Sequence, residues 1–352
     1  MFSHVFGRRD KKRRMTVRDQ RVEESIPQPI SDDADTFICR CAHQEHADDS
    51  AFLNGLLSSF VPNPPRGPFL SAFLHAQGRV LYDVFVYTRD AGGHPAYFLE
   101  YDSRVASSSS DVPGLLGYLK RHVLRSNVRV RDATEEHDVW AAWGNEPIAS
   151  WDGLRRWNVA QSGAIEPQWD KQNQWPWGTE DEVIRDRRAV GMGLRRLVKK
   201  GDRRECAHIA LSPVNCTRRP LMRVAQEAVN HDEASEEDYT LHRIMHGVPE
   251  GSLDIPPMQA FPMDSNLDMM GGLDFRKGCY VGQELTVRTY HTGVIRKRIL
   301  PVMLSRFSPN ASSNPSPTPV PTSFTPGTDI RASLTHPPAR VAQRDLAGLE
   351  SC

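Results

Sequence analysis

The residue best placed to do chemistry is Cys279, in the run Lys277-Gly-Cys-Tyr-Val-Gly-Gln-Glu-Leu-Thr-Val-Arg288. The run reads as a strand end, a glycine-rich bend and a helix start. Gly278 and Gly282 permit unusual backbone angles and the close approach of a ligand. Glu284 and Arg288 stand at the i, i+4 spacing that supports a helix, and Gly293 supplies its stop. Cys279 therefore lies just ahead of a helix amino terminus, with Lys277 two residues before it. Both features place positive potential near the sulfur and favour the thiolate. Two readings stand: a reactive, redox-sensitive or metal-contacting thiol, or a small buried side chain beneath a glycine bend.

Other constellations carry less. Cys39-x-Cys41-x-His43-x-x-His46 gathers four potential metal ligands within eight residues. Zinc sites separate two ligand pairs by a longer loop, so this stretch reads as a surface loop and no metal site is expected. Cys206 and Cys216 read as core or loop thiols. No cysteine set of the ferredoxin kind exists, so no permanently bound Fe–S cluster is expected. There is no P-loop, no G-x-G-x-x-G after a strand, no G-x-S-x-G and no H-E-x-x-H.

The elements that must position Cys279 follow from the apolar pattern. Residues 51–61 have helical spacing. Phe69–Leu74 and Val80–Tyr87 flank a Gln77-Gly78-Arg79 turn, which predicts a hairpin. Tyr97–Tyr101, Val128–Val130 and Val139–Trp143 read as strands, and Val112–Leu124 as an amphipathic helix. Cys206–Leu211 is strand-like, and Tyr239–His246 ends a helix that starts in an acidic run. The order gives an α+β fold, not a doubly wound sheet. Residues 23–36 look like tail, and 163–205 like a charged, surface-exposed insertion.

Composition sets the outer limits. The chain has 352 residues, 44 Lys plus Arg against 44 Asp plus Glu, and six cysteines. Zero formal charge argues against binding nucleic acid or an anionic membrane by overall basicity. The cysteines are too few for a disulfide scaffold, which fits an intracellular, soluble chain. Residues 307–328 are charge-free but hold six prolines, so they read as a linker, not a membrane span. The first 22 residues carry eight basic side chains against Asp10 and Asp19, the pattern of a mitochondrial presequence or of a solvated basic tail.

Lys277-Gly-Cys-Tyr-Val-Gly-Gln-Glu284 resembles the hallmark octapeptide of the YgfZ family, folate-binding relatives of the glycine-cleavage aminomethyltransferase. Its continuation to Arg298 resembles the eukaryotic branch, the mitochondrial iron–sulfur cluster assembly factors called Iba or Caf proteins. Gly78–Asp83, Arg243–Glu250 and Phe261–Asp268 agree, and the resemblance covers roughly residues 50–300. It implies a GcvT-like cloverleaf that holds tetrahydrofolate, a mitochondrial matrix location, and late maturation of 4Fe–4S proteins such as aconitase and radical-SAM enzymes. The implied partners are A-type scaffold proteins and client 4Fe–4S apoproteins.

By position, Cys279 matches the family cysteine, and Lys277, Gly282, Gln283, Glu284 and Arg288 match its ligand-binding surroundings. Asp83 falls where the aminomethyltransferases carry an aspartate pair, with Tyr82 replacing one member. Asp264 stands where the superfamily has a glutamate on the pterin edge. The expected organisation is a tail or presequence over 1–35, the folate-binding region over 36–304, a linker over 305–328, and over 329–352 the remnant of a truncated carboxy-terminal barrel. An assembly factor is the first functional reading; a folate-dependent one-carbon transferase is the alternative.

Overall fold

The computed structural model describes residues 25–26, 28–29, 34–41, 47–90, 95–102, 104, 112–124, 126, 128–143, 156–169, 175–178, 183–200 and 232–302. The chain divides into two compact units, Arg14–Ile299 and Met1–Arg13 with Leu300–Cys352. Every element below belongs to Arg14–Ile299. The linker, the barrel remnant, His43, His46, Cys206–Leu211 and Cys216 lie outside the described residues.

In chain order the elements are β1 Ser25–Ile26, β2 Gln28–Pro29, β3 Ala34–Cys41, α1 Ala47–Asn54, β4 Phe69–Leu74, β5 Val80–Asp90, β6 Pro95–Asp102, α2 Leu115–Val123, β7 Val128–Asp132, β8 His137–Ala142, β9 Arg156–Val159, β10 Ile165–Gln168, β11 Val183–Arg185, β12 Leu194–Lys199, β13 Asp232–Glu233, α3 Glu236–Met245, the single turn α4 Gly251–Asp254, and α5 Gln283–Thr292. The fold is α+β. A five-stranded antiparallel sheet runs β4-β5-β6-β3-β7, and a four-stranded antiparallel sheet runs β11-β12-β8-β2. β9 and β10 form a separate hairpin, and β1 pairs in parallel with β13.

The large sheet has two chemically different faces because side chains alternate along a strand. On one face Val84 and Val86 of β5 stand opposite Tyr101 and Leu99 of β6. Tyr82 meets Tyr101 edge-on at 5.1 Å, and the core there includes Leu115 and Leu119 of α2, both fully buried. On the other face Asp83, Phe85 and Tyr87 of β5 alternate with those positions, beside Phe98, Glu100 and Asp102 of β6. That second face carries charge into the interior. β4 is buried along its whole length, which suits its nearly unbroken apolar sequence FLSAFL.

The expected hairpin around Gly78, the strands at 97–101, 128–130 and 139–143, and the helices within 112–124 and 236–246 are all present. Four expectations differ. Cys39 and Cys41 belong to β3, a strand between β6 and β7, so the backbone there is not a surface loop. Ser25–Ile26, Gln28–Pro29 and Ala34–Cys41 are all paired, so the segment read as tail enters three sheets. The charged stretch 163–205 supplies β10, β11 and β12, and β12 lies between β8 and β11. The first helix also starts and stops earlier than its apolar spacing implied: α1 ends at Asn54, and Leu56 and Leu57 reach the core from the turns beyond.

Candidate functional site

The loop that carries Cys279 is fastened to the end of α1 by backbone and side-chain bonds on both sides of the sulfur. Before it, Asp274 N donates to Ser58 O at 3.0 Å, and Ser58 Oγ donates to Gly272 O at 2.7 Å. Lys277 Nζ donates to Asn54 O at 2.7 Å, Leu57 O at 2.6 Å and Ser59 O at 3.1 Å. After it, Val281 N donates to Gly55 O at 3.0 Å, and Tyr280 N donates to Gln283 Oε1 at 3.1 Å. A helix end leaves carbonyls without amide partners, and an ammonium with three donors suits that need. Burial lowers the Lys277 pKa to about 8.

This corrects the role given to Lys277. Its charge is engaged by carbonyl oxygens and the Tyr280 ring, 4.8 Å away, and is not directed at the sulfur or a ligand. Cys279 itself is exposed, so the reading of a small side chain buried under the bend fails. No strand leads into the bend; the approach is a series of turns.

Gly282 opens α5 with φ +81°, in the left-handed region. A Cβ there would lie on the His75 carbonyl oxygen and 2.8 Å from Leu74 Cβ. Across the contact, a Cβ on Gly78 (φ +80°) would meet Leu285 Cβ at 2.7 Å. The two glycines let α5 settle on the β4–β5 turn. What approaches Gly282 so closely is the chain's own backbone. Glu284 and Arg288 are exposed on α5 and form no ion pair with each other among the described residues. Asp264 is half-buried in the turns of 261–271, where its carboxyl has no hydrogen-bond partner among the described residues.

Asp83 lies elsewhere, on the charged face of the large sheet. Its Oδ2 accepts from Gly251 N at 3.0 Å, while Asp102 Oδ2 accepts from Ser252 N at 2.7 Å and from Ser252 Oγ at 2.8 Å. The two strand carboxylates thus cap the amino end of α4. Burial pushes the Asp83 pKa up to about 6; the Gly251 amide opposes that and the Glu250 charge reinforces it. Tyr82, the neighbour in place of a second aspartate, donates its hydroxyl to Pro113 O at 2.6 Å on the opposite face.

Beside Asp83 lies a buried set of charges that sequence reasoning missed. Arg195 of β12 pairs with Glu100 of β6 and donates to Tyr239 Oη at 2.6 Å. Arg188 pairs with Asp186 at 2.6 Å and also with Glu250. Tyr239 of α3 donates to Glu250 Oε2 at 2.7 Å, and Tyr87 Oη donates to Glu100 Oε2 at 2.7 Å. The guanidinium carbons of Arg188 and Arg195 lie 4.7 and 4.6 Å from the Phe85 ring centre. Arg243 pairs with Asp254 and donates to Val248 O at 3.3 Å. Burial disfavours the Glu250 carboxylate, yet Arg195, Arg188 and Arg243 outweigh it and hold the group well below the usual range. A sequence signal existed: Glu100 is the one charge inside the apolar run Tyr97–Tyr101.

Of the seven residues assigned to folate, Lys277 spends its donors on three carbonyls and Gly282 is packed against the β4–β5 hairpin, while Asp83 accepts from Gly251 through one oxygen and Gln283 accepts from Tyr280 through its Oε1. Among the described residues no group of three or more His, Cys, Asp or Glu is arranged to hold a metal ion, and no helix is long and apolar enough to cross a membrane.

No family model matches the chain. Comparison with curated proteins is decisive: it is 37% identical over 294 residues to the mitochondrial iron–sulfur cluster assembly factor IBA57 homolog of Cryptococcus neoformans var. neoformans serotype D, covering 78% of this chain and 69% of that protein. The chain belongs to the IBA57 family. The family homologs of Coccidioides immitis and Neosartorya fischeri are 38% and 34% identical, over 73% and 83% of this chain. The chain spans 53% and 59% of their lengths. Among solved structures, the glycine cleavage system aminomethyltransferase T of Bartonella henselae overlays with a TM-score of 0.41 at 12% identity, covering 71% of this chain and 58% of that one.

Proposed function

We propose that this IBA57-family chain acts in the mitochondrial matrix in the late maturation of 4Fe–4S proteins, with Cys279 as the thiol that contacts a cluster or a partner thiol. The observation that supports it is the exposed Cys279 on a loop fastened on both sides, in a chain 37% identical to a named assembly factor. A thiol binds iron as thiolate, releasing its proton to solvent. An exposed, firmly held sulfur can do so without local unfolding. The partners in this reading are A-type scaffold proteins, with apoproteins such as aconitase as clients.

Tetrahydrofolate remains part of the proposal through Asp264, whose open carboxyl suits the N–H edge of a pterin. No step depends on it. The one-carbon transferase reading needs two carboxylates near the folate nitrogen. Here Asp83 caps α4 and Tyr82 points to the other side of the sheet. No observation favours that reading.

The test is complementation of cells lacking their own family member. The full chain should restore aconitase activity, and Cys279→Ser should not, although its melting temperature stays unchanged because the side chain is exposed. Normal aconitase activity with Cys279→Ser would refute the proposal.

A further inference from the structure

From Val112 through Arg131 the chain has no acidic residue, against Lys120, Arg121, Arg125, Arg129 and Arg131, in a molecule of zero formal charge. The stretch supplies α2, which ends at Val123, and β7, which begins at Val128. At that end of the large sheet Arg129 aligns with Arg40 of β3, Arg40 with Ala96 of β6, and Ala96 with Arg89 of β5. Asp83, Glu100 and Asp102 stand at the opposite end of the same face. Like charges at directly opposed strand positions repel, so the Arg40–Arg129 register favours an anion from outside. Lys120, Arg121 and Arg129 are exposed, and none pairs with a carboxylate among the described residues. Arg121 Nε donates only to Gly117 O, at 3.3 Å. Between these cations stands Leu124, 85% exposed. Its φ of +43° lies in the left-handed region, where helix ends favour glycine or asparagine and a leucine is strained. A costly backbone thus holds an aliphatic side chain out in water.

We propose that the α2–β7 tip docks on an anionic lipid bilayer, with Leu124 in the headgroup–acyl boundary and Lys120, Arg121 and Arg129 over the phosphates. The cations flank the tip on both sides. Lys120 and Arg121 belong to α2, which covers the face of Tyr82, and Arg129 belongs to the face of Asp83. An aliphatic apex between lysines and arginines is the combination a bilayer interface accepts. Zero net charge does not oppose this, because a charged surface is felt over only about 8–10 Å in physiological salt. The local set of cations therefore decides. A single-stranded nucleic acid fits less well, since its bases stack on exposed aromatic rings. The aromatic residue of α2, Tyr118, is buried.

The full chain is floated with vesicles of phosphatidylcholine alone or mixed equally with phosphatidylglycerol. Residues 8–21 carry positive charge of their own, so the decisive comparison is between the parent and variants of the tip. The parent should float with the mixed vesicles, stay behind with phosphatidylcholine, and leave the mixed vesicles as salt is raised. Lys120→Glu with Arg121→Glu should weaken that binding about tenfold or more. Leu124→Asn should weaken it about threefold or more, yet melt no lower than the parent, because asparagine accepts a left-handed φ. A parent that ignores the mixed vesicles, or tip variants that bind them as the parent does, would overturn the proposal. So would a lowered melting temperature for Leu124→Asn, which would mean that the leucine serves the fold. Binding of inorganic phosphate or a single-stranded RNA oligomer that falls with the charge reversal, with vesicle binding indifferent to Leu124→Asn, would assign the cations to a soluble anion and also overturn it.

Discussion

Asp83 pairs a buried carboxyl with a useful hydrogen bond, and the two effects oppose each other. Its pKa is raised to about 6 by burial despite the Gly251 amide. Between the ordinary carboxylate value and about 6, the folded chain keeps a proton that the unfolded chain has released. Stability from this group therefore falls as pH rises through that window, by about 3 kcal/mol in total. Asp83→Asn keeps an oxygen for Gly251 and removes the titration. Urea unfolding at pH 5 and pH 7.5 should show the parent losing stability between them, and Asp83→Asn losing less. Glu250 works in the opposite sense: its pairing stabilises at neutral pH and is lost only in acid. At this scale the residue types were legible and their directions were not. Lys277 two residues before a cysteine read as an electrostatic aid to the thiolate. The partner that matters to it, the open end of α1, lies some 220 residues away in the chain.

The elements explain why the second glycine of the octapeptide is required. Gly282→Ala puts a Cβ on the His75 carbonyl at a left-handed φ, and should cost about 2–4 kcal/mol in thermal or urea unfolding. Lys277→Met keeps the buried stem but strips three carbonyls of their donor. A loss of about 1–3 kcal/mol is expected in the same assay. Local signals made the hairpin at Gly78, the amphipathic α2 and the acid-started α3 legible; Ser235 and Asp238 form a full capping box at the last of these. β3 was not legible. Its sequence ADTFICRC has no clean alternation, and its place is set by β6 and β7 on either side, which local propensity does not contain.

Across the whole of Arg14–Ile299, the large and small sheets meet through charge as well as hydrocarbon. Arg195 on β12 reaches Glu100 on β6, and Tyr239 joins them to Glu250. Arg195→Met leaves Glu100 buried without its guanidinium, and should cost about 3–5 kcal/mol in urea unfolding. Glu100→Gln with Arg195→Met should recover part of that loss. The stretch 163–205 was misread as a solvated insertion because its charge density was taken to mean exposure. Arg188 and Arg195 are instead buried against their carboxylates.

The pairing of β3 also bears on how much of the amino-terminal segment the fold can lose. Ala34 aligns with Asp102 and Phe37 with both Leu99 and Asp132, so the first long strand is locked between β6 and β7. Removal of the chain through Cys41 would take β3 from between β6 and β7, split the large sheet and expose two new edges. A chain shortened beyond Cys41 should therefore lose the cooperative urea unfolding of the parent, whereas one that starts just ahead of Ala34 should keep the large sheet, which circular dichroism of the two would read directly.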